Sequence, residues 1–87
     1  MSKLLRVFRG RKERRMTRLL ALLAAEPTAY KVVGDLARSS QLGNVAYPLL
    51  ADLSRQGLVE HRWAAIDEET RLVYRLTPKG LEHLSQS

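Results

Sequence analysis

Residues 44–63, NVAYPLLADLSRQGLVEHRW, decide the fold, because a helical pattern gives way to a strand pattern at a glycine within this stretch. In the first half, apolar residues recur at i, i+3, i+4 and i+7, the spacing that gathers side chains on one face of a helix. These predicted core residues are Ala46, Leu49, Leu50 and Leu53. Asn44 is of a type that caps helix N-termini, and Gly57 tolerates the left-handed conformation just past a helix end. The pattern therefore predicts a helix that begins at Asn44 and stops at Gly57.

The face of this helix opposite the predicted core is polar and aromatic, and it is suited to contact with another molecule. The candidate contact residues on and beside it are Asn44, Val45, Tyr47, Pro48 and Arg55. Pro48 falls in or just after the first turn, where a missing backbone N–H costs little. We expect Arg55, far along the helix, to contact a phosphate rather than a base. The role of Asn44 stays open between a cap and a reader of bases.

Beyond Gly57 the pattern becomes that of a β-hairpin. Residues 58–63 are predicted to form one strand, and residues 72–76, in which Leu72, Tyr74 and Leu76 alternate with Val73 and Arg75, are predicted to form its partner. The segment between them, residues 64–71, is too polar for a core and too long for a two-residue turn. We therefore predict a hairpin whose tip is a loop.

Helices are predicted on both sides of this central region. Their ranges are residues 3–9, about 12–25, about 31–38 and about 78–85. Gly10 is expected to end the first, which is a short basic amphipathic segment. Thr77 followed by Pro78 predicts an N-cap and a first helical residue for the last.

This order of elements predicts a mainly α protein with a small β-hairpin, in the α+β class. It is the winged helix-turn-helix plan, with three core helices, a two-stranded wing and a short C-terminal helix, in which the third helix enters the DNA major groove. Residues 1–11 are expected to be a basic N-terminal arm or short helix. Residues 12–87 are expected to be the winged helix-turn-helix DNA-binding domain.

The charge is concentrated at the N-terminus. The chain carries a formal net charge of +6, whereas residues 1–18 alone hold eight Lys and Arg against one Glu, a net of +7. A segment this basic favours a polyanionic partner such as double-stranded DNA. The cations expected to contact DNA are Arg11, Lys12, Arg14 and Arg15 of this region, with Arg71 of the wing.

The run of residues 44–63, followed after the hairpin tip by YRLTPKG at residues 74–80, resembles the PadR-like family of transcriptional regulators. In that family a Tyr-Pro-x-Leu helix leads through Gly-Leu-Val into the wing, which a Tyr-x-Leu-Thr-x-x-Gly strand end closes. The residues that carry the resemblance are Tyr47, Pro48, Leu50, Leu53, Gly57, Leu58, Val59, Trp63, Tyr74, Leu76, Thr77 and Gly80. It covers roughly residues 16–84, and its shorter motifs also occur in MarR-like regulators.

The resemblance implies a dimer that binds DNA, but the chain departs from the family pattern in two respects. The further C-terminal helix that makes the family's dimer has no counterpart before Ser87, so we expect a homodimer interface formed by Leu4, Leu5, Phe8, Leu81 and Leu84. The wing tip is acidic, with Asp67, Glu68 and Glu69, and a phosphate backbone would repel it. We therefore expect the basic arm to replace wing contacts with the minor groove.

Other classes of protein are poorly supported by the composition. Cysteine is absent, and His61 and His83 have no arrangement of acids around them that suggests a metal site or a catalytic centre, so we expect neither an enzyme nor a cofactor. The apolar run at residues 19–25 is too short to span a membrane, and Glu26-Pro27 replaces the cleavage site of a secretory signal. The expected location is the cytoplasm, in association with the nucleoid.

The sequence thus predicts a sequence-specific DNA-binding regulator of transcription, a repressor in our interpretation. Two alternatives remain open. One is a non-specific or architectural phage or plasmid accessory protein that coats or bends DNA. The other is a winged-helix protein-interaction module that docks through the acidic wing and Trp63. The sequence indicates neither the operator nor a small-molecule inducer.

Overall fold

The computed structural model describes the backbone of residues 2–86 and the side chains of residues 10–86. Within this range the fold has four helices and a three-stranded antiparallel sheet. The helices are α1 (Ser2–Ala24), α2 (Val33–Ser39), α3 (Ala46–Arg55) and α4 (Pro78–Ser85), and the strands are β1 (Lys31–Val32), β2 (Val59–Ile66) and β3 (Glu69–Leu76). The winged helix-turn-helix architecture predicted from the sequence is confirmed.

The core lies between α1, α3 and the sheet, and leucine dominates it. Leu19, Leu20 and Leu23 of α1 are fully buried, and they belong to the same cluster as Leu50 and Leu53 of α3. The predicted stripe of α3 is buried at every position, so its helical phase is confirmed. Burial of one such side chain contributes about 1.5–3 kcal/mol, which makes this cluster the main source of stability.

The third helix ends and the first strand of the wing begins through a Schellman motif at Gly57. The N–H of Gly57 donates to the carbonyl of Ser54, and the N–H of Leu58 donates to that of Leu53, both at 3.0 Å. Gly57 has a φ of 76°, a left-handed conformation that glycine adopts without strain. The predicted stop at this glycine is therefore confirmed, and the motif fixes the direction in which the wing leaves the helix.

The base of the wing is closed by Thr77. Its side chain accepts a hydrogen bond from the N–H of Gly80 at 3.0 Å, which confirms it as the N-cap of α4 with Pro78 in the first turn. The same hydroxyl donates to the carbonyl of Gly57 at 2.7 Å, and the Thr77 N–H donates to the Leu58 carbonyl at 3.2 Å. One residue thus joins the end of β3 to the start of β2.

The predicted loop at the wing tip is wrong. The two strands pair continuously from Val59 opposite Leu76 to Ile66 opposite Glu69. A two-residue turn joins them, in which Asp67 and Glu68 have positive φ values of 51° and 67°. Such a pair of left-handed residues matches the right-handed twist of the strands, as in type I′ hairpin turns. The wing is therefore a longer ribbon with a tighter tip than the polarity of this segment suggests.

The predicted second helix starts two residues too early. Lys31 and Val32 form β1 and pair with Tyr74 and Val73 on the edge of β3 opposite β2. Pairing satisfies backbone groups of β3 that would otherwise lie on an open edge, and it makes the sheet three-stranded rather than two-stranded.

Two further expectations about helix ends are wrong. Helix α1 continues through Gly10, because one glycine in a helix interior costs only about 1 kcal/mol relative to alanine and good helix formers flank it. Asn44 is not a cap: α3 begins at Ala46, after a 3₁₀ turn at Gly43–Val45, and no side chain caps it. The Ala46 N–H donates instead to the backbone carbonyl of Gly43 within that turn.

Candidate nucleic-acid interface

The outer face of α3 is open to solvent. Tyr47 and Val45 are 44% and 41% exposed, and Asn44, Pro48 and Arg55 are exposed as well. Because Asn44 does not cap the helix, its amide is available for hydrogen bonding to another molecule. The residues proposed from the sequence for this face lie together in the 3₁₀ turn and the first turn of α3, except Arg55, which lies at its last turn.

One flank of α3 is connected to α1 by a carboxylate that two cations share. Lys12 Nζ lies 2.8 Å from Asp52 Oδ2, and the Arg55 guanidinium donates to Oδ1 of the same carboxylate. Hydrogen bonds from Lys12 and Arg55 lower the pKa of the Asp52 carboxyl, so this group is ionised at neutral pH. We call these three residues the Asp52 cluster. The sequence offers no signal for the contact of Lys12 with Asp52, because the two residues are distant in the chain.

The other flank of α3 is connected to the wing. Ser54 Oγ and His61 Nδ1 are 2.8 Å apart, and the His61 ring packs at a tilt against Tyr74 with 5.8 Å between ring centroids. This contact joins the last turn of the helix to the first half of β2. It restricts the angle between the wing and the outer face of α3, and sequence analysis did not predict it.

The predicted cations of the N-terminal region lie on α1. Arg11, Arg14, Arg15 and Arg18 are spaced at i, i+3, i+4 and i+7, and this spacing gathers them on one side of the helix. Arg18 donates to the backbone carbonyl of Ser40 at 3.0 Å. Among the side chains of residues 10–86, Arg11, Arg14 and Arg15 form no ion pair. Their charges are therefore available to an anionic partner.

The wing offers little positive charge to a nucleic acid. The Arg71 guanidinium lies 2.6 Å from Glu69, which neutralises it, while Asp67 and Glu68 are exposed at the tip. Arg71, which was expected to contact DNA, therefore lies in an acidic setting.

At the root of the wing, two further arginines are held by a tyrosine. The guanidinium carbons of Arg62 and Arg75 lie 4.2 and 4.5 Å from the centroid of the Tyr30 ring. Arg75 also binds Glu60, and hydrogen bonds from Arg75 and from Tyr30 lower the pKa of that carboxyl. Together these contacts fasten the segment before β1 onto the wing.

The residues expected at a dimer interface differ in their exposure to solvent. Leu81 is 47% exposed on α4 and is available for contact. Leu84 packs against the core of its own chain, so only part of its surface remains. The side chains of Leu4, Leu5 and Phe8 lie outside the described residues.

The described residues hold no group of three or more His, Cys, Asp or Glu side chains placed to bind a metal ion. Nor does that part of the chain contain a helix long and apolar enough to cross a membrane.

Comparisons with known proteins agree with this architecture. Two similar solved structures are a PadR-like transcription factor from Bacteroides fragilis (24% identity, TM-score 0.71, covering 90% of this chain and 80% of the other) and the S. aureus MepR G34K mutant (21%, 0.70, covering 99% and 72%). A PadR family transcriptional regulator from Eggerthella lenta is 26% identical, with a TM-score of 0.64 and coverage of 98% and 75%. No curated protein matches the chain. The model of the PadR-like family matches residues 19–86, from the core of α1 through α4, and the chain belongs to this family of transcriptional regulators.

Proposed function

We propose that the chain is a sequence-specific, non-catalytic DNA-binding repressor that places α3 in the major groove. Asn44 and Val45, just before α3, contact base edges together with Tyr47 and Pro48 in its first turn, and Arg55 contacts the DNA backbone. Arg11, Lys12, Arg14 and Arg15 of α1 contact phosphates on the flank of the same surface. The protein acts in the cytoplasm, in association with the nucleoid.

One observation carries this proposal: the outer face of α3 is exposed while its inner face is wholly buried, and both flanks of the helix are fixed. The Asp52 cluster joins α3 to the basic helix α1, and the bond between Ser54 and His61 joins it to the wing. A helix held rigidly with hydrogen-bonding side chains outward is what direct readout of base edges needs.

The decisive experiment selects bound sequences from a pool of random duplexes and then titrates the enriched site against random DNA. We expect an enriched motif and a preference of at least about 10³ over random duplex. Equal affinity for both would overturn sequence-specific binding in favour of a coating or architectural role. In vitro transcription from a promoter that carries the motif then tests repression.

We also propose that the protein binds as a two-fold homodimer, through Leu4, Leu5 and Phe8 with Leu81 and Leu84. One recognition helix covers few base pairs, and a genome offers about 10⁶ or more competing sites. The symmetry of the selected motif reports the dimer, with two half-sites about 34 Å apart. A monomer bound to an asymmetric motif would contradict it.

Replacement of Asn44 or Tyr47 by Ala is expected to weaken binding to the selected site by about 1–3 kcal/mol each, because each removes a contact to a base edge. Neither change should lower the thermal midpoint, since both side chains are exposed and Asn44 is not a cap. Fluorescence anisotropy measures the affinity and circular dichroism measures the midpoint. If both variants bind the selected site as tightly as the wild type, the assignment of the recognition surface is wrong.

The basic N-terminal region is expected to supply affinity rather than sequence preference. If about half of its cations contact phosphates, replacing Lys3, Arg6, Arg9, Arg11 and Lys12 by Gln should reduce the slope of log K against log salt by roughly 2 per subunit, at about 0.9 per contact. The apolar residues of the segment are kept, so dimer contacts are retained. A single Lys79→Gln change on α4 is the control. An unchanged slope, or a lost preference with retained random binding, would show that the region has another role.

A second candidate function rests on the wing. Trp63 is 67% exposed on β2, and the acidic turn at Asp67 and Glu68 lies beyond it. An exposed aromatic side chain beside acidic groups suits a protein surface better than a phosphate backbone. If the protein binds no duplex even at low salt, this protein-interaction role replaces DNA binding.

A further inference from the structure

The Asp52 cluster contains a negative charge on the flank of the surface proposed to bind DNA. The side chains of Lys12 and Arg55 are 60% and 70% exposed, whereas that of Asp52 is 27% exposed. The carboxylate therefore lies under two cations that point to solvent from two different helices. It pairs with both cations at the same time.

We propose that Asp52 is a specificity-determining residue: it withholds Lys12 and Arg55 from the phosphates of random DNA and so limits non-specific affinity. This inference rests on the proposed function of α3 and names an acidic residue as part of its selectivity. Lys12 and Arg55 exchange Asp52 for phosphates only when other contacts hold the duplex in place.

The physical basis is the origin of non-specific affinity for DNA. This affinity comes almost entirely from protein cations that displace counterions from phosphates. A carboxylate that binds two such cations prevents them from contributing to this non-specific affinity, and its own negative charge repels the phosphates. Contacts from Asn44 and Tyr47 to bases do not depend on Asp52. Tyr47 lies in the first turn of α3 and Asn44 lies just before the helix, whereas Asp52 lies in its second half. The carboxylate therefore lowers random binding more than specific binding.

A stabilising role alone does not account for this arrangement. Ion pairs between exposed side chains contribute little to the stability of a fold. The chain offers a comparison in Asp35 and Arg38 of α2, which form the same i,i+3 pair of residue types on one exposed helix surface. Asp52 differs in that it also binds a cation from α1, the helix that carries the unpaired arginines. Its position, rather than the pairing itself, distinguishes it.

The test compares Asp52→Asn with Asp35→Asn as the matched control, using fluorescence anisotropy on random duplex and on the selected site between about 50 and 200 mM salt. Asparagine keeps the shape of the side chain and removes the charge. For Asp52→Asn we expect affinity for random duplex to rise about fivefold at physiological salt for each cation that gains a phosphate, and the salt slope to steepen by about 0.9 per cation. Preference for the selected site should fall, and the control should change neither quantity.

A double variant assigns the effect to the cluster. In the double variant Asp52→Asn with Lys12→Gln, only Arg55 can gain a phosphate. The increase in affinity for random duplex should therefore be smaller than in Asp52→Asn and equal to the contribution of one cation. Thermal midpoints close to the wild type establish that both proteins are folded. A full gain in the double variant would show that Lys12 is not withheld.

Three results would overturn the proposal: random binding that is unchanged in Asp52→Asn, random binding that is weaker, or an equal gain for random and selected DNA. Failure of the proposed function looks different. In that case the wild type shows no preferred sequence at all, whereas the change in random binding and in salt slope still reports whether Asp52 withholds the two cations.

Discussion

Gly80→Ala is expected to destabilise the domain by about 3 kcal/mol or more, even though alanine is the better helix former. A Cβ at this position would lie 2.0 Å from the Leu58 carbonyl oxygen and 2.9 Å from a methyl group of Leu76. The first neighbour is backbone, and it also accepts the hydrogen bond of the Thr77 N–H. Relief of the clash would therefore separate α4 from the base of the wing and break that bond.

Gly34→Ala is the matched control. Gly34 is also in a helix, α2, and its added Cβ would meet only the end of the Arg38 side chain at 3.7 Å. We expect this variant to be neutral or up to about 1 kcal/mol more stable, since only helix propensity changes. Chemical denaturation followed by circular dichroism measures both free energies of unfolding. A Gly80→Ala protein as stable as Gly34→Ala would contradict the close contact between α4 and Leu58.

Leu53→Ala is expected to cost about 2–5 kcal/mol of unfolding free energy, from lost burial together with the cavity that remains. Leu53 is fully buried in the cluster that joins α3 to α1, and its carbonyl accepts the Leu58 N–H in the Schellman motif. The total stability of a domain is only about 5–15 kcal/mol, so a large part of the molecules would unfold on mild heating.

Leu81→Ala serves as its control, because Leu81 is 47% exposed and leaves no comparable cavity. We expect a loss well below that of Leu53→Ala, and both are measured by thermal and chemical denaturation of the same preparation. If Leu53→Ala unfolds at the wild-type midpoint, the buried phase of α3 is wrong. If the midpoint of the wild type rises with protein concentration and that of Leu81→Ala does not, Leu81 belongs to the dimer interface.

Features of the fold with a local cause were predictable from the sequence. The stripe from Ala46 to Leu53 follows from the helical period alone. The turn at Gly57 and the N-cap bond of Thr77 likewise involve backbone groups within a few residues. The resemblance that led to the family includes Gly57 and Thr77, which lie where the wing joins α3 and α4.

The features missed from the sequence depend on partners distant in the chain or on weak signals. Strand β1 is two residues long, too short for any period to be visible, and it exists because β3 has a free edge. The turn at Asp67 and Glu68 lacks the Asn-Gly or Asp-Gly pair that usually marks such a turn. The Asp52 cluster and the contact between Ser54 and His61 arise only when separate elements pack together.

The closure of the wing at Thr77 has a consequence for how such a regulator can diversify. Gly57, Leu58, Thr77 and Gly80 fasten both ends of the ribbon to the helical body. The part of the wing beyond Trp63 and Leu72 has no residue in the core cluster. Insertions, deletions and changes of charge in that outer part therefore leave the packing of the helices unchanged. We therefore expect that a basic turn in place of the acidic tip would leave the fold of the domain unchanged.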